Sequence, residues 1–560
     1  MTGHPTLTDE PDSPGRRQFL EQAAGLGMAV LLTGTAGLLG CQPKPAVSHI
    51  KGGMLGASHQ IGHLLRHPEQ LPPPTQTLET GVLIVGGGVA GLSARRWLWQ
   101  NGLRDVLLVE MEDQLGGNAV SGQNAVSAFP WGAHYLPIPD RRNWELLDFL
   151  QECQAITGFD EAGLPIYNEY YLCHDPEERL FIHGHWQEGL VPRVGVPEAD
   201  EAQITRFFKW IEELKAARGA DGRDAFAIPL DGSSNDETFR RWDAVSFDAF
   251  LTEHQFTSPY LRWYLEYACK DDYGTTLANT SAWAGLHYFA ARKGVASNAE
   301  PNSVLTWPEG NGFLINQLKQ QAESPVRSNG LIFRCEETEA GVRVLAYDSR
   351  KKETIAIQAR QVLLATPQFV TRRLLKTVPD RNGAEFQYAP WLVANLTVSG
   401  LPQNRGLPLC WDNVMYGARS VGYVTATHQR LEATDPKVIT LYWPLVQDPP
   451  DLARRKAYQT SYDEWLAQIL AELEPVHPGI AAYISDVSCW VWGHGMIAPT
   501  PGFIGSESRR KAALPFHNKL FFAHSDLSGI SIFEEAFYQG IRAAKEILVK
   551  NRPTDNEASS

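Results

Sequence analysis

The chain has 560 residues, with 50 Lys and Arg against 64 Asp and Glu, a formal net charge of −14. One hydrophobic core stops growing near roughly 250–300 residues, so the length excludes a single simple domain. The acidic balance, with no basic stripe, argues against nucleic acid as a partner, and 43% hydrophobic with 20% charged residues is an ordinary globular composition. The 16 Trp and 18 Tyr leave two readings, ordinary packing or the lining of an aromatic pocket.

Arg16-Arg17-Gln18-Phe19-Leu20 precedes an apolar, Gly/Ala-rich run over residues 23–39, the pattern of a twin-arginine export signal. With 17 residues and four glycines the run is short for a membrane span, which needs about 20 strongly apolar residues. An uncleaved membrane anchor is the alternative. Leu38-Leu39-Gly40-Cys41 resembles a bacterial lipobox, which implies cleavage before Cys41 and a lipid on its thiol. Together these segments imply passage through the twin-arginine export machinery to the periplasmic face of a bacterial membrane, with a lipid anchor at Cys41. That route carries folded proteins, and it suits a chain that loads a cofactor before export. The six other cysteines are scattered without CxxC or metal-ligand spacing, so buried thiols and no metal are expected.

Residues 42–77 read as a Pro-rich tether, and 551–560 as a disordered tail. Within the tether His59, His63 and His67 fall at i, i+4 and i+8, which on one helix would share a face. No carboxylate shares that spacing, and a docking segment is preferred to a metal site.

The chemistry begins with Val82-Leu83-Ile84-Val85, a continuous apolar run suited to a parallel strand buried on both faces. Gly86-Gly87-Gly88-Val89-Ala90-Gly91 follows, then a helical stretch, a second strand Val106-Leu107-Leu108-Val109, and Glu110. Gly86 permits the tight turn, Gly88 a close approach to a pyrophosphate, and Gly91 close helix–strand packing. Val89 and Ala90 open the helix, whose free N–H groups and partial positive charge face the phosphates. Glu110 lies 19 residues beyond Gly91, near the ~20 expected for an acid that binds ribose. Strand, glycine turn, helix, strand and acid in that order specify dinucleotide binding.

Residues 82–117 resemble the N-terminal signature of the superfamily of flavin amine oxidases, protoporphyrinogen oxidases and phytoene desaturases. The second glycine pair, Gly116-Gly117, is the part that a nicotinamide-only fold does not need. The resemblance implies noncovalent FAD and an α/β, Rossmann-like FAD-binding domain built discontinuously from 78–150, 300–372 and 485–550. A mixed α+β substrate domain, 151–299 and 373–484, is then inserted between those pieces. It further implies that Gly132 and Ala133, in Phe129-Pro130-Trp131-Gly132-Ala133-His134-Tyr135, run beside the flavin ring. Residues 307–314 and 361–367 resemble the entry to the second half of that domain and its return strand. Near the C-terminus, 520–529 and the helix through Gly540 resemble the family's closing strand, acid and helix; the acid role goes to Asp526, though Ser525 fills the simplest register. Trp490, Trp492 and His494 then fall where the family places an aromatic wall of the substrate cavity, with ordinary packing as the other reading.

The chain departs from this family at two places. Asn118 stands where an Arg often follows the glycine pair, so the pyrophosphate must lean on backbone and Asn118. Asn395 stands at the place of the Lys that many amine oxidases hold near the flavin. His134 and His494 are the candidate proton acceptors, with a satisfied structural histidine as the other reading of His134. The carboxylates Asp271 and Asp272 either bind a cation or cap a helix, and capping is preferred. The expected activity is hydride transfer from a small organic substrate to flavin. A redox-neutral, isomerase-type flavoenzyme and a non-catalytic lipoprotein on the same fold remain alternatives.

Overall fold

The computed structural model describes residues 47–375, 385–430 and 435–550. The export signal with Arg16 and Arg17, the lipobox with Cys41 and the tail 551–560 therefore lie outside the described residues. From Ser48 onward these residues form one unit built on two large sheets.

The seven-stranded sheet runs Val326–Arg327, Val106–Val109, Pro74–Val85, Glu353–Leu364, Gly341–Asp348, Gly330–Thr338. Leu520–Phe522 pairs with the end of Glu353–Leu364. The strands nearest the glycine turn are parallel, with Val82 opposite Val106 and Gln361. Their apolar runs serve two cores because successive side chains alternate faces. Val82, Ile84 and Leu108 pack under the helices Val89–Gln100 and Phe533–Lys550, whereas Leu83, Val85 and Val109 pack with Val342, Val344 and Phe522. The two helices cross closely at Gly540, where a Cβ would meet the Ala90 carbonyl oxygen at 2.2 Å.

The eight-stranded sheet runs Lys51–Leu55, Ile484–Ile497, Tyr388–Val398, Lys437–Pro444, Tyr423–Thr425, Asp412–Met415, Glu178–Ile182, His185–Glu188. Tyr388–Val398 is buried along its whole length because both faces are covered. Leu392, Leu396 and Val398 meet the helices Pro450–Gln459 and Tyr462–Leu473, while Trp391 and Val393 join an aromatic cluster on the opposite face. A third layer of helices, including Glu198–Ala216, Pro259–Tyr273 and Ala282–Ala290, forms its own core around Phe207, Phe250 and Trp283.

Two sequence expectations change here. Ile484–Ile497, expected to open the last piece of the FAD domain, is an inner strand of the eight-stranded sheet. Its polar and aromatic alternation follows from having one side half-open. The expected tether is instead docked structure: Lys51–Leu55 pairs in parallel with residues 486–490, and Pro74–Val85 already belongs to the nucleotide-side sheet. The scattered cysteines Cys153, Cys173, Cys269, Cys335, Cys410 and Cys489 are buried free thiols.

Candidate functional site: a glycine-cradled groove beside an aromatic, acidic cluster

The turn after Val85 is shaped by backbone contacts that no side chain could share. Gly86 has φ +103°, and a Cβ there would meet the Ala365 carbonyl oxygen at 2.5 Å. A Cβ on Gly91 would lie 1.9 Å from the Gly86 carbonyl oxygen, so that glycine serves helix–strand packing. Gly88 is different, since its Cβ would meet only the Gly117 Cα, at 3.8 Å. Across from it Gly116, with φ +143°, donates its N–H to the Gly87 carbonyl at 2.9 Å. The two glycine pairs thus form a floor of bare backbone.

The helix Val89–Gln100 begins at Gly88 without a side-chain cap, so the first N–H groups of its N-terminus stay open toward that floor. Glu110 closes the far end. Its carboxylate accepts the Gly87 N–H at 2.6 Å and the Glu112 N–H at 2.9 Å, and burial pushes its pKa up. A carboxylate has about four acceptor positions, so acceptor capacity remains for a ribose hydroxyl.

A cavity of about 1590 Å³ extends over this floor. Gly86, Gly88, Val89, Ala90, Glu110, Gly116, Gly117, Asn118 and Ala133 line it, as do Trp492, His494, Ser525 and Phe533. Bare glycine backbone, an open helix N-terminus, a ribose-suited acid and an elongated groove together fit a dinucleotide such as FAD.

Several candidate residues lie elsewhere or act differently. Asp526 does not line the groove; its buried carboxylate accepts the Gln368 N–H at 2.8 Å and the Tyr388 hydroxyl at 2.5 Å, and sits 3.0 Å from His524. Ser525, in the simpler register, faces the groove instead. Gly132 also stands back, because a Cβ there would meet the Asn118 carbonyl oxygen at 2.2 Å. The Asn118 amide donates to the Gly495 carbonyl and so ties the turn to Ile484–Ile497. Asn395 is consumed structurally, donating to the Pro130 carbonyl at 3.1 Å and accepting from Thr440 at 2.6 Å. Of the two tryptophans, Trp492 lines the groove and donates to the Trp131 carbonyl at 2.6 Å; Trp490 packs behind it, 5.1 Å away.

Neither histidine is poised to titrate near neutrality. His494 stacks on Phe369 at 4.1 Å, and burial lowers its pKa to about 3. His134 stacks on Tyr442 at 4.4 Å, and burial lowers its pKa to about 4. Both rings are therefore neutral at pH 7. The shared histidine face that a single helix over His59, His63 and His67 would give does not form, because the helix ends at His63 and the chain bends at His67. Among the described residues no cluster of three or more His, Cys, Asp or Glu is arranged to hold a metal.

Beyond Ala133 lies a cluster of aromatic rings and carboxyls that sequence reasoning largely missed. His134 is 5.8 Å from Trp411 and 5.0 Å from Tyr135, ring to ring. Tyr135 donates to Asp271 at 3.5 Å, and Tyr267 to Asp412 at 3.4 Å. Burial pushes both carboxyls above the usual range; Asp272 adds to the rise of Asp271, and Asp271 and Glu178 to that of Asp412. Asp271 and Asp272 do not cap a helix N-terminus, as had been expected. They occupy the last turn of Pro259–Tyr273, where the helix dipole disfavours negative charge. Arg292 offsets Asp272 with a two-pronged contact at 2.8 and 2.9 Å, which leaves Asp271 facing the aromatic rings. Asp412, Tyr267, Trp411 and Tyr442 carry no local motif, and only the pairing of distant strands with this helix brings them together.

The glycine-floored groove between the sheets defines the class: a two-sheet, dinucleotide-binding fold. In fold the chain is similar to solved amine oxidase structures. Residues 84–153 match the NAD(P)-binding Rossmann-like domain family. Polyamine oxidase 6 of Oryza sativa subsp. japonica is 28% identical over 191 residues, 32% of this chain and 34% of that one, so the match spans about a third of that relative. A wild-type putrescine oxidase bound to putrescine superposes with TM-score 0.60 at 18% identity, over 84% of this chain and 100% of that one. Cyclohexylamine oxidase from Brevibacterium oxydans IH-35A gives TM-score 0.57 at 15% identity, over 84% and 98%.

Proposed function

We propose that this chain is an exported, FAD-dependent oxidoreductase that oxidises a cationic amine by hydride transfer to the flavin. The observation that carries the substrate class is the pair Asp271 and Asp412, each within reach of a tyrosine hydroxyl beside the His134–Trp411–Tyr442 wall. Aromatic faces and buried carboxylates are the surroundings that attract an ammonium group. The names of the similar proteins, polyamine, putrescine and cyclohexylamine oxidases, support the same class.

In this reading Glu110 holds the adenosine ribose, and the N–H groups at Val89 and Ala90 face the pyrophosphate. Gly116 and Gly117 give the pyrophosphate room, and Ala133 borders the flavin ring. FAD held there would supply a two-electron acceptor that oxygen or a membrane carrier could regenerate. The chain's residues orient and desolvate. Asp271 and Asp412 hold the distal ammonium, and Tyr135, Trp411 and Tyr442 fix the carbon skeleton. His134, neutral at pH 7, contributes a ring face without charge. The paired Arg16 and Arg17 and the lipobox at Cys41 support export and a lipid anchor on the periplasmic side.

The test is an absorption spectrum of residues 42–560, identification of the released chromophore, and anaerobic addition of diamines. Released FAD and bleaching by diamines are the expected results. A protein that stays colourless after incubation with FAD would remove the cofactor reading. Turnover of an unsaturated substrate with no acceptor consumed would replace oxidation by an isomerase-type reaction.

A further inference from the structure

The segment after the first strand lines the groove and touches both of its walls. On one bank Ser58 donates both its N–H and its hydroxyl to the Glu112 carboxylate at 2.8 Å, and Gly62 packs on Met111. Glu112 in turn donates its N–H to Glu110, the ribose-binding candidate. On the other bank the His59 ring lies 4.5 Å from Tyr458, in the helix Pro450–Gln459. Ile61, Leu64 and the buried Leu65 anchor the segment to the core under Val109 and Leu331. This short helix and turn therefore bridge both walls of the cavity.

The bridge is also basic. His59, His63 and Arg66 line the same cavity as the glycine floor, joined there by Arg372 and Arg373. Among the described residues Arg66, Arg372 and Arg373 make no ion pair with a carboxylate, although Arg454 does, with Asp451. Burial, and after it the neighbouring charges of Arg66, His59 and Arg373, lower the pKa of His63. Such a concentration of positive charge calls for an anion. Position 118, where the resembling family often has a charged clamp, carries Asn118, whose amide is committed to Gly495.

We infer that residues 58–66 are a cofactor clasp, closing the groove over bound FAD and supplying Arg66 as a charge partner, with His59 and His63 as hydrogen-bond donors, for its phosphates in place of a cation at position 118. The inference rests on the FAD reading above. It gives the histidine spacing a role without a metal, and it explains why the first strand is stitched into the far sheet: pairing with residues 486–490 fixes where the clasp begins.

The test uses the chain from residue 42 onward. FAD release is followed by the recovery of flavin fluorescence on dilution, and apoprotein binding of FAD is compared with binding of riboflavin, which lacks phosphates. Arg66→Ala with His63→Gln is expected to weaken FAD about tenfold or more and to reduce the salt dependence of binding, leaving riboflavin unchanged. Ser58→Ala, which removes one tie to Glu112, is expected to speed FAD release. Arg66 and His63 are exposed, so the fold should survive, and an unchanged apoprotein melting temperature checks this; Arg66→Lys should restore part of the affinity. Wild-type release rates and salt dependence in these variants would overturn the clasp alone. A wild-type chain that binds no FAD would overturn the cofactor reading, and the clasp with it.

Discussion

Gly88 and Gly117 face each other across the floor of the groove so closely that a Cβ on Gly117 would lie 3.2 Å from the Gly88 Cα. The converse contact is looser, 3.8 Å from a Cβ on Gly88 to the Gly117 Cα. A side chain at 88 therefore fits the protein but occupies the space of a bound pyrophosphate. Gly88→Val should fold with a near-normal apoprotein melting temperature and lose essentially all flavin. Gly91→Val, which collides with the Gly86 carbonyl, should lose the fold itself. Flavin content and melting temperature measured on both variants separate the two outcomes.

Asp412→Asn and Asp271→Asn should lower kcat/KM for a diamine by roughly ten- to a hundredfold, the loss of about 1.5–3 kcal/mol from a charged hydrogen bond. Flavin content should not change. Both carboxyls sit above the usual range, so falling pH neutralises them and KM for the cationic amine should rise. Steady-state profiles with diamine and monoamine substrates check this, since the pH effect should flatten in the Asn variants.

Glu535 is a stability switch away from the chemistry. Its buried carboxyl accepts the Leu230 N–H at 2.5 Å, and burial raises its pKa to about 8 from an ordinary value near 4.5. Between those values the folded chain holds a proton that the unfolded chain has lost, so stability falls as pH rises. The loss is on the order of a few kcal/mol. Glu535→Gln keeps an acceptor for Leu230 and cannot ionise. Denaturant melts from pH 5 to 8 should show a shallower decline for this variant than for the wild type.

Arg16→Lys with Arg17→Lys preserves charge yet should leave the protein in the cytoplasm, because the twin-arginine route reads the guanidinium pair. Cys41→Ala should still permit export but move the protein out of the membrane fraction. Cell fractionation with an antibody distinguishes these results from normal, membrane-bound export.

The nucleotide half of the site was legible because its chemistry is local. A turn that needs Gly86 at positive φ, a helix that needs Gly91 at its packing point, and an acid one strand later all fall within residues 82–110. Asp526 was misplaced for the opposite reason. A one-residue difference in a tight turn decides which side chain faces the groove, and no periodicity reports it. The paired carboxylates were misjudged too, because Asp near a helix suggests a cap, whereas only the helix end at Gly274 shows that they sit at the wrong pole for one.

By itself the sequence determined the dinucleotide turn, the α/β class and the second glycine pair, since each depends on backbone geometry that a few adjacent residues impose. Only the tertiary structure decided that Asp412 and Trp411 meet Asp271 and Tyr135, that Asn395 is spent on Pro130 and Thr440, and that the segment around His59 lines the groove. Apart from Asn395 and Thr440, which are 45 positions apart, these relationships join residues more than a hundred positions apart. They are set by sheet pairing and side-chain packing, which carry no signal at short sequence range.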